Sequence, residues 1–142
     1  MKSNALFLLI FPMTLLVGCQ GSPPPAAPRE MTVEGAEFKF TPDQIEVSVS
    51  QPVKLTFKNL GALEHDFSVI EIPLVINAGP EPAAGHSLHE MSVQPELHVA
   101  ASSGQTMTLE FTPTEPGRYE FICTVAGHKE AGMKGFLVVK AP

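Results

Sequence analysis

Apolar and polar residues alternate in short runs along most of the chain after residue 31, and this period of two constrains the fold more than any other feature. The clearest runs are residues 45–49, 53–57, 107–111 and 119–123. Successive side chains of a β-strand point to opposite faces, so the alternation is typical of strands with one buried face. Turn-forming residues separate the runs, among them Pro42, Pro52, Gly104 and Pro116. This spacing predicts an all-β sandwich.

The length and the charge narrow the kind of protein. A chain of 142 residues accommodates one domain with a hydrophobic core, and it is too short for two such domains with a linker. We therefore expect one functional site. The formal net charge is -6, and loss of residues 1–18, which carry Lys2 and no acid, makes it one unit more negative. An acidic surface argues against a nucleic acid as partner.

The first eighteen residues have the composition of an export signal. Residues 5–18 form a short apolar run that follows Lys2, is interrupted by Pro12 and ends at Gly18. A membrane-spanning helix needs about 20 apolar residues. The run therefore predicts a cleaved signal peptide over residues 1–18, and a retained membrane anchor is the less favoured alternative.

Residues 16–19, Leu-Val-Gly-Cys, resemble the lipobox of bacterial lipoproteins, in which the cysteine is lipidated and becomes the new amino terminus. The resemblance implies lipidation of Cys19, and two or more acyl chains anchor a protein firmly to a membrane. The proline-rich stretch that follows, within residues 19–30, predicts a semi-rigid extended tether. We thus expect an exported protein, periplasmic or on the cell surface, with its folded domain over residues 31–142.

A thiol, an imidazole and a thioether recur at intervals of five residues near the carboxyl end, at Cys123, His128 and Met133. If Cys19 is lipidated, Cys123 has no disulfide partner and is a buried thiol, a reactive thiol or a metal ligand. A second imidazole, His65, lies at the start of an earlier strand. Taken singly, such residues more often serve packing or hydrogen bonding. Together, two His, one Cys and a weak axial Met form the blue-copper ligand set.

The same segment resembles a known family. Residues 117–123 followed by Gly127-His128 and Gly132-Met133 resemble the carboxy-terminal motif of cupredoxins, the family of plastocyanin, azurin and rusticyanin. The resemblance covers about residues 31–140 and implies a Greek-key β-sandwich of about seven or eight strands. It also implies one type 1 copper ion. His65, Cys123 and His128 would be its equatorial ligands, and Met133 its axial ligand.

One position departs from the pattern of that family. The residue after the first ligand histidine is often Asn or Ser there, and its side chain braces the cysteine loop. Here that residue is Asp66. A carboxylate can brace Thr124 or its neighbours equally well, and its negative charge near copper favours Cu(II) and lowers the reduction potential.

These features favour a protein that carries single electrons between redox proteins, such as cytochromes or oxidases and reductases. A copper carrier or buffer would use the same ligands, and zinc suits the same set through misincorporation. An accessory domain of a copper enzyme is less favoured. Such enzymes need a second copper site, usually built from His-x-His pairs, and the sequence contains no such pair. We therefore expect no enzyme activity.

The small apolar residues beside the two histidines predict a docking surface. Residues 125–127 precede His128, and residues 61–63 precede His65. At one end of a sandwich they would form a flat apolar patch that suits brief contact with a redox partner. The alternative is that these small residues only satisfy tight turns.

Residues 73–96 break the alternation and are longer than an ordinary hairpin connection, which predicts either a flap over one sheet or a mobile excursion. In or beside this segment lie His86, His89, Met91 and His98. A second metal site is one interpretation of this group. Scattered histidines in a solvated loop are favoured, since no cysteine or pair of carboxylates completes a ligand set.

Overall fold

The computed structural model describes residues 27–79 and 94–141. The predicted signal peptide, Cys19, most of the tether, His86, His89 and Met91 lie outside these residues. The described part contains ten β-strands: β1 (Arg29–Ala36), β2 (Lys39–Thr41), β3 (Gln44–Ser48), β4 (Val53–Asn59), β5 (His65–Val69), β6 (Leu74–Ala78), β7 (Leu97–Ala101), β8 (Thr106–Pro113), β9 (Gly117–Ile122) and β10 (Lys134–Lys140). Within the same residues, no helix has the length and apolarity needed to cross a membrane.

The strands form two five-stranded sheets, in the orders β2-β1-β4-β8-β6 and β3-β10-β9-β5-β7. Strand β1 pairs with β4 in parallel, as β3 does with β10, and the other pairs are antiparallel. Consecutive strands often lie in different sheets, so the chain crosses repeatedly between them. The predicted all-β sandwich is confirmed.

The core lies between the sheets and follows the alternation in the sequence. In β4, for example, Val53, Leu55 and Phe57 are fully buried, and the residues between them are half-buried. Phenylalanine rings fill the centre: Phe67 stacks on Phe121 with 4.6 Å between ring centroids. Burial of each such side chain contributes about 1.5–3 kcal/mol.

The structure has ten strands where about seven or eight were expected, and two strands, β2 and β6, explain most of this difference. Strand β2 has only three residues, with one buried side chain, Phe40. Strand β6 lies within the segment predicted to be irregular, and it pairs with β8 at the edge of the first sheet. Its residues do not alternate, since Val75 and Ile76 are both exposed. The segment therefore begins as an edge strand with a register shift between Ile76 and Ala78. The prediction of a flap or a mobile excursion falls mostly on residues 80–93, which lie outside the described part.

Strand β5 positions the polar residues of the site. It lies between β9 and β7 in the second sheet, and all five of its residues are buried. Three of them are polar: His65, Asp66 and Ser68. Buried polar groups need hydrogen-bond partners or a ligand, so this strand is a candidate element of the functional site.

Candidate metal centre

Three of the four predicted ligands lie on one loop at one end of the sandwich, between strands β9 and β10. Cys123 directly follows β9, and Met133 directly precedes β10. The backbone N–H of Cys123 donates to the Met133 carbonyl at 3.1 Å, and the N–H of Met133 donates to the His128 carbonyl at 2.9 Å. These bonds close residues 123–133 into a compact ligand loop. The remaining residue, His65, is the first residue of β5.

The side chains of His65, Cys123 and His128 converge. The Nδ1 atoms of the two histidines are 3.1 Å apart. The Cys123 Sγ atom lies 3.4 Å from Nδ1 of His128 and 3.9 Å from Nδ1 of His65. All three residues are buried, and within residues 27–79 and 94–141 they form the one group of histidine, cysteine or acidic side chains close enough to share a metal ion.

This donor set fits copper. One thiol and two imidazoles, with their donor atoms within 4.8 Å of one another, match the trigonal His₂Cys arrangement of a blue-copper site. Met133 is fully buried at the end of the same loop. A Cβ atom added at Gly35 of β1 would lie 3.3 Å from the Met133 methyl carbon. The thioether side chain is thus held against β1, inside the sandwich.

Burial sets the protonation of the copper-free site. It raises the pKa of the Cys123 thiol to about 12, and the nearby Asp66 carboxylate adds to this rise. Burial also lowers the pKa of His65, and the proximity of His128 lowers it further. At neutral pH the thiol therefore keeps its proton and the His65 imidazole is neutral. A metal ion has to displace the thiol proton, so metal binding releases a proton.

The predicted brace between Asp66 and Thr124 is present. The Thr124 backbone N–H donates to both carboxylate oxygens of Asp66, at 3.0 Å each. Its hydroxyl donates to Oδ2 at 2.8 Å. Since Thr124 follows Cys123 directly, the buried carboxylate fixes the backbone next to the sulfur. The Asp66 N–H also points to the Cys123 Sγ atom, at 3.5 Å.

His98 lies on β7, outside the metal centre. Its Nδ1 atom is 2.7 Å from the Ser68 hydroxyl, and this hydroxyl donates to Oδ1 of Asp66 at 2.6 Å. A chain of hydrogen bonds thus leads from His98 through Ser68 to the brace. Ser68 was not among the residues predicted from the sequence. Because His86, His89 and Met91 lie outside the described residues, the interpretation of this histidine group as scattered loop residues stays a prediction.

Asn59, which was not among the predicted site residues, supports the loop that leads to His65. Its side-chain amide donates to the carbonyls of Leu63 and Ala101 at 2.7 and 2.8 Å. Its Oδ1 atom accepts from the Gly61 N–H at 2.9 Å. The alternation in the sequence could have indicated this role. Residue 59 continues the buried positions 53, 55 and 57 of β4, yet its side chain is polar.

Large apolar side chains are exposed around this end of the sandwich. Phe38 is 41% exposed, Leu63 48% and Leu60 62%. The ring of Phe38 meets His128 edge-on, with 5.3 Å between centroids. Of the residues predicted to form the patch, positions 62, 63, 126 and 127 are exposed. Phe38 and Leu60 enlarge the patch beyond that prediction.

Comparisons with known proteins agree with this geometry. The family model of copper binding proteins, plastocyanin/azurin family, matches residues 27–140. Auracyanin-A of Chloroflexus aurantiacus is 32% identical over 118 residues, which cover 78% of this chain and 72% of the relative. The copper-resistant cuproprotein CopI of Rubrivivax gelatinosus is 28% identical over 129 residues, which cover 84% of this chain and 73% of the relative.

A solved structure shows the same fold. Dithionite-reduced auracyanin from Roseiflexus castenholzii superposes with a TM-score of 0.62 at 24% identity. The alignment covers 81% of this chain and 99% of that one. The two-sheet architecture is therefore shared over nearly the whole length of the solved chain.

Proposed function

The chain belongs to the plastocyanin/azurin family of copper-binding proteins, and from this premise we propose that it is an exported carrier of single electrons. In this proposal His65, Cys123 and His128 hold one copper ion, and Met133 is its axial ligand. Copper is the cofactor of the family, and electron carriers of this kind are not enzymes.

The observation that supports the proposal best is the buried cluster of two imidazoles and one thiol. Bound copper supplies a one-electron Cu(I)/Cu(II) couple. Thiolate and thioether favour Cu(I), whereas imidazole suits Cu(II). Side chains held in one compromise arrangement need little movement when an electron arrives or leaves. The Asp66–Thr124 bonds and the Asn59 side chain hold the two ligand-bearing segments in this way.

The proposed route for electrons runs through His128. Its ring is nearly buried, and it lies beneath exposed Phe38 and next to exposed residues 126 and 127. A patch of this kind brings a partner close to the imidazole edge, while a small contact area keeps the complex short-lived. We propose redox proteins such as cytochromes, oxidases or reductases as the partners.

Copper carriage is the second candidate function, because one relative is named a copper-resistant cuproprotein. Two rates distinguish the candidates: electron self-exchange between oxidised and reduced protein, measured by NMR line broadening, and copper loss to a chelator. An electron carrier exchanges electrons many times before it loses its copper. Copper loss that outpaces self-exchange would instead favour carriage.

Placing a negative charge on the patch should slow electron transfer. In self-exchange two copies meet through the same surface, so Ala126→Asp brings two like charges together in a region of low polarity. We expect a self-exchange rate at least about tenfold lower at low salt, partly restored at high salt, with colour and potential nearly unchanged. Thr114→Asp is the matched control, because residue 114 lies between β8 and β9 at the opposite end of the sandwich. Equal rates for the two variants would place the electron route elsewhere.

Replacing the axial Met133 by leucine should raise the reduction potential while copper stays bound. The side chain is fully buried, and leucine conserves its volume. Loss of a weak donor destabilises Cu(II) more than Cu(I). We expect the ratio of Cu(I) to Cu(II) at a fixed applied potential to rise about tenfold or more, which corresponds to about 59 mV. Met107→Leu on β8 serves as control, and an unchanged potential in Met133→Leu would show that Met133 is not axial.

We further propose that residues 1–18 are a signal peptide and that lipidated Cys19 anchors the protein to a membrane. Changing Cys19 to alanine should move the protein from the membrane fraction to the soluble exported fraction or to the unprocessed pool. Fractionation followed by immunoblotting measures this change. Retention in the membrane fraction after normal processing would require a different anchor.

A further inference from the structure

The turn between β1 and β2 touches both histidine-bearing segments. Its residues Glu37 and Phe38 lie on either side of the centre: the Phe38 ring packs edge-on against His128, and the Glu37 carboxylate accepts a hydrogen bond from the Ala62 N–H. Phe38 has a φ of 62°, a value that side-chain-bearing residues rarely adopt. This backbone conformation lets consecutive side chains reach the two segments.

Glu37 faces His65 across a glycine. A Cβ atom added at Gly61 would lie 2.6 Å from Oε1 of Glu37 and 2.8 Å from Nε2 of His65. Because glycine has no Cβ, the carboxylate and the imidazole can approach the same point from two sides. Among the described residues, the buried Nε2 atom of His65 has no hydrogen-bond partner. The nitrogen opposite the proposed metal-binding Nδ1 atom is therefore aimed towards an acidic side chain.

The hydrogen bonds that Glu37 accepts keep its carboxylate ionised. The backbone amide of Ala62, its own amide and that of Leu63 lower the pKa of Glu37. Burial and His128 lower the pKa of His65, and the negative charge of Glu37 opposes them. The carboxylate of Glu37 is solvent-exposed, and it approaches the His65 ring at Gly61.

We propose that Glu37 is a positioning residue that holds the loop before His65 and biases the bound copper towards Cu(II) by placing a negative charge behind the His65 ring. The inference rests on the proposed copper-binding role of His65. The nitrogen of a ligand histidine that does not bind the metal usually faces an acceptor, which orients the ring and increases its basicity. A carboxylate does so more strongly than a neutral carbonyl, because it adds charge.

Two substitutions separate the hydrogen bond from the charge. Glu37→Gln keeps an oxygen that can accept from Ala62 and removes the charge, whereas Glu37→Ala removes both. Glu34→Gln is the matched control, because it removes one acidic charge from β1, the strand that leads into this turn. The backbone of Glu34 pairs with Lys58 and Thr41. The measurements are the reduction potential of the copper-loaded proteins and the amide hydrogen exchange of Ala62 in the copper-free proteins.

We expect Glu37→Gln to raise the potential. The carboxylate is exposed and screened by solvent, so the effect should be moderate. We expect the Cu(I)-to-Cu(II) ratio at a fixed applied potential to rise about three- to tenfold. Glu34→Gln should change this ratio by less than half as much. Exchange at Ala62 should accelerate about tenfold in Glu37→Ala and stay near the wild-type rate in Glu37→Gln.

Equal potentials for Glu37→Gln and Glu34→Gln would overturn the role of the charge. Unchanged Ala62 exchange in Glu37→Ala would overturn the role of the hydrogen bond. Both results leave the proposed electron-carrier function standing if the wild-type protein is blue. Failure of the wild-type protein to form a blue copper site would refute the function itself, and the exchange measurement on the copper-free protein would still test the bracing.

Discussion

Copper-loaded Cys123→Ser is expected to be colourless where the wild-type protein is intensely blue. The colour of a type 1 site arises from charge transfer from thiolate to Cu(II), and Cys123 contributes the single sulfur among the three converging donor atoms. A serine hydroxyl is a hard, poorly acidic group and a weak ligand for copper. The fold should persist, because the two side chains have nearly the same shape. Visible absorption and electron paramagnetic resonance measure the change, and circular dichroism verifies the fold.

The second cysteine of the chain provides the matched control. Cys19 lies far from Cys123 in the sequence and outside the proposed ligand set, so Cys19→Ala should retain full colour after copper loading. A blue Cys123→Ser protein, or a wild-type protein that binds copper without colour, would contradict the assignment of Cys123 as thiolate ligand.

Asp66→Ala should strongly destabilise the copper-free protein and raise the potential of the copper-loaded one. The carboxylate is fully buried and accepts both the backbone N–H and the hydroxyl of Thr124. Each buried donor left without an acceptor costs about 1–3 kcal/mol, so we expect a loss of about 2–5 kcal/mol in the free energy of unfolding. Ser68 also loses an acceptor but keeps its contact with His98.

Asp66→Asn separates the two effects. The asparagine oxygen still accepts one hydrogen bond, which limits the expected loss to about 1–2 kcal/mol. Its missing charge should raise the potential about as much as in Asp66→Ala. Urea unfolding of the copper-free proteins and potentiometric titration of the copper-loaded ones provide the two values. A potential that rises only in Asp66→Ala would mean that loop geometry, and not charge, controls it.

The convergence of His65, Cys123 and His128 could be predicted because the chemistry of these side chains is visible in the local sequence. Cys123, His128 and Met133 share one loop with regular spacing, and soft donors in this order are uncommon. The strands around them alternate clearly, so the all-β sandwich followed as well. The brace at Asp66 was predictable through its place next to His65, since the position after the first histidine braces the cysteine loop in the resembling family.

The supporting contacts could not be predicted, because they depend on strand register and on turns. Glu37 reaches a backbone amide 25 residues away, and Ser68 meets His98 across 30 residues only because β5 and β7 pair in one particular alignment. Local patterns contain no information about such alignments. Strand β6 was not predicted for a different reason. It lies at a sheet edge, and two adjacent apolar residues within it, Val75 and Ile76, are both exposed to solvent, so the strand shows no alternation.

The backbone hydrogen bond from Cys123 to Met133 closes the base of the ligand loop. Because the two ends of the loop are tied together and continue into the paired strands β9 and β10, the loop is a module on an unchanged scaffold. Insertions or deletions between His128 and Met133 would alter the approach of the thioether without shifting the sheets, as surface loops generally tolerate changes in length. A change in this short stretch would therefore act on the thioether and leave the core of the sandwich as it is.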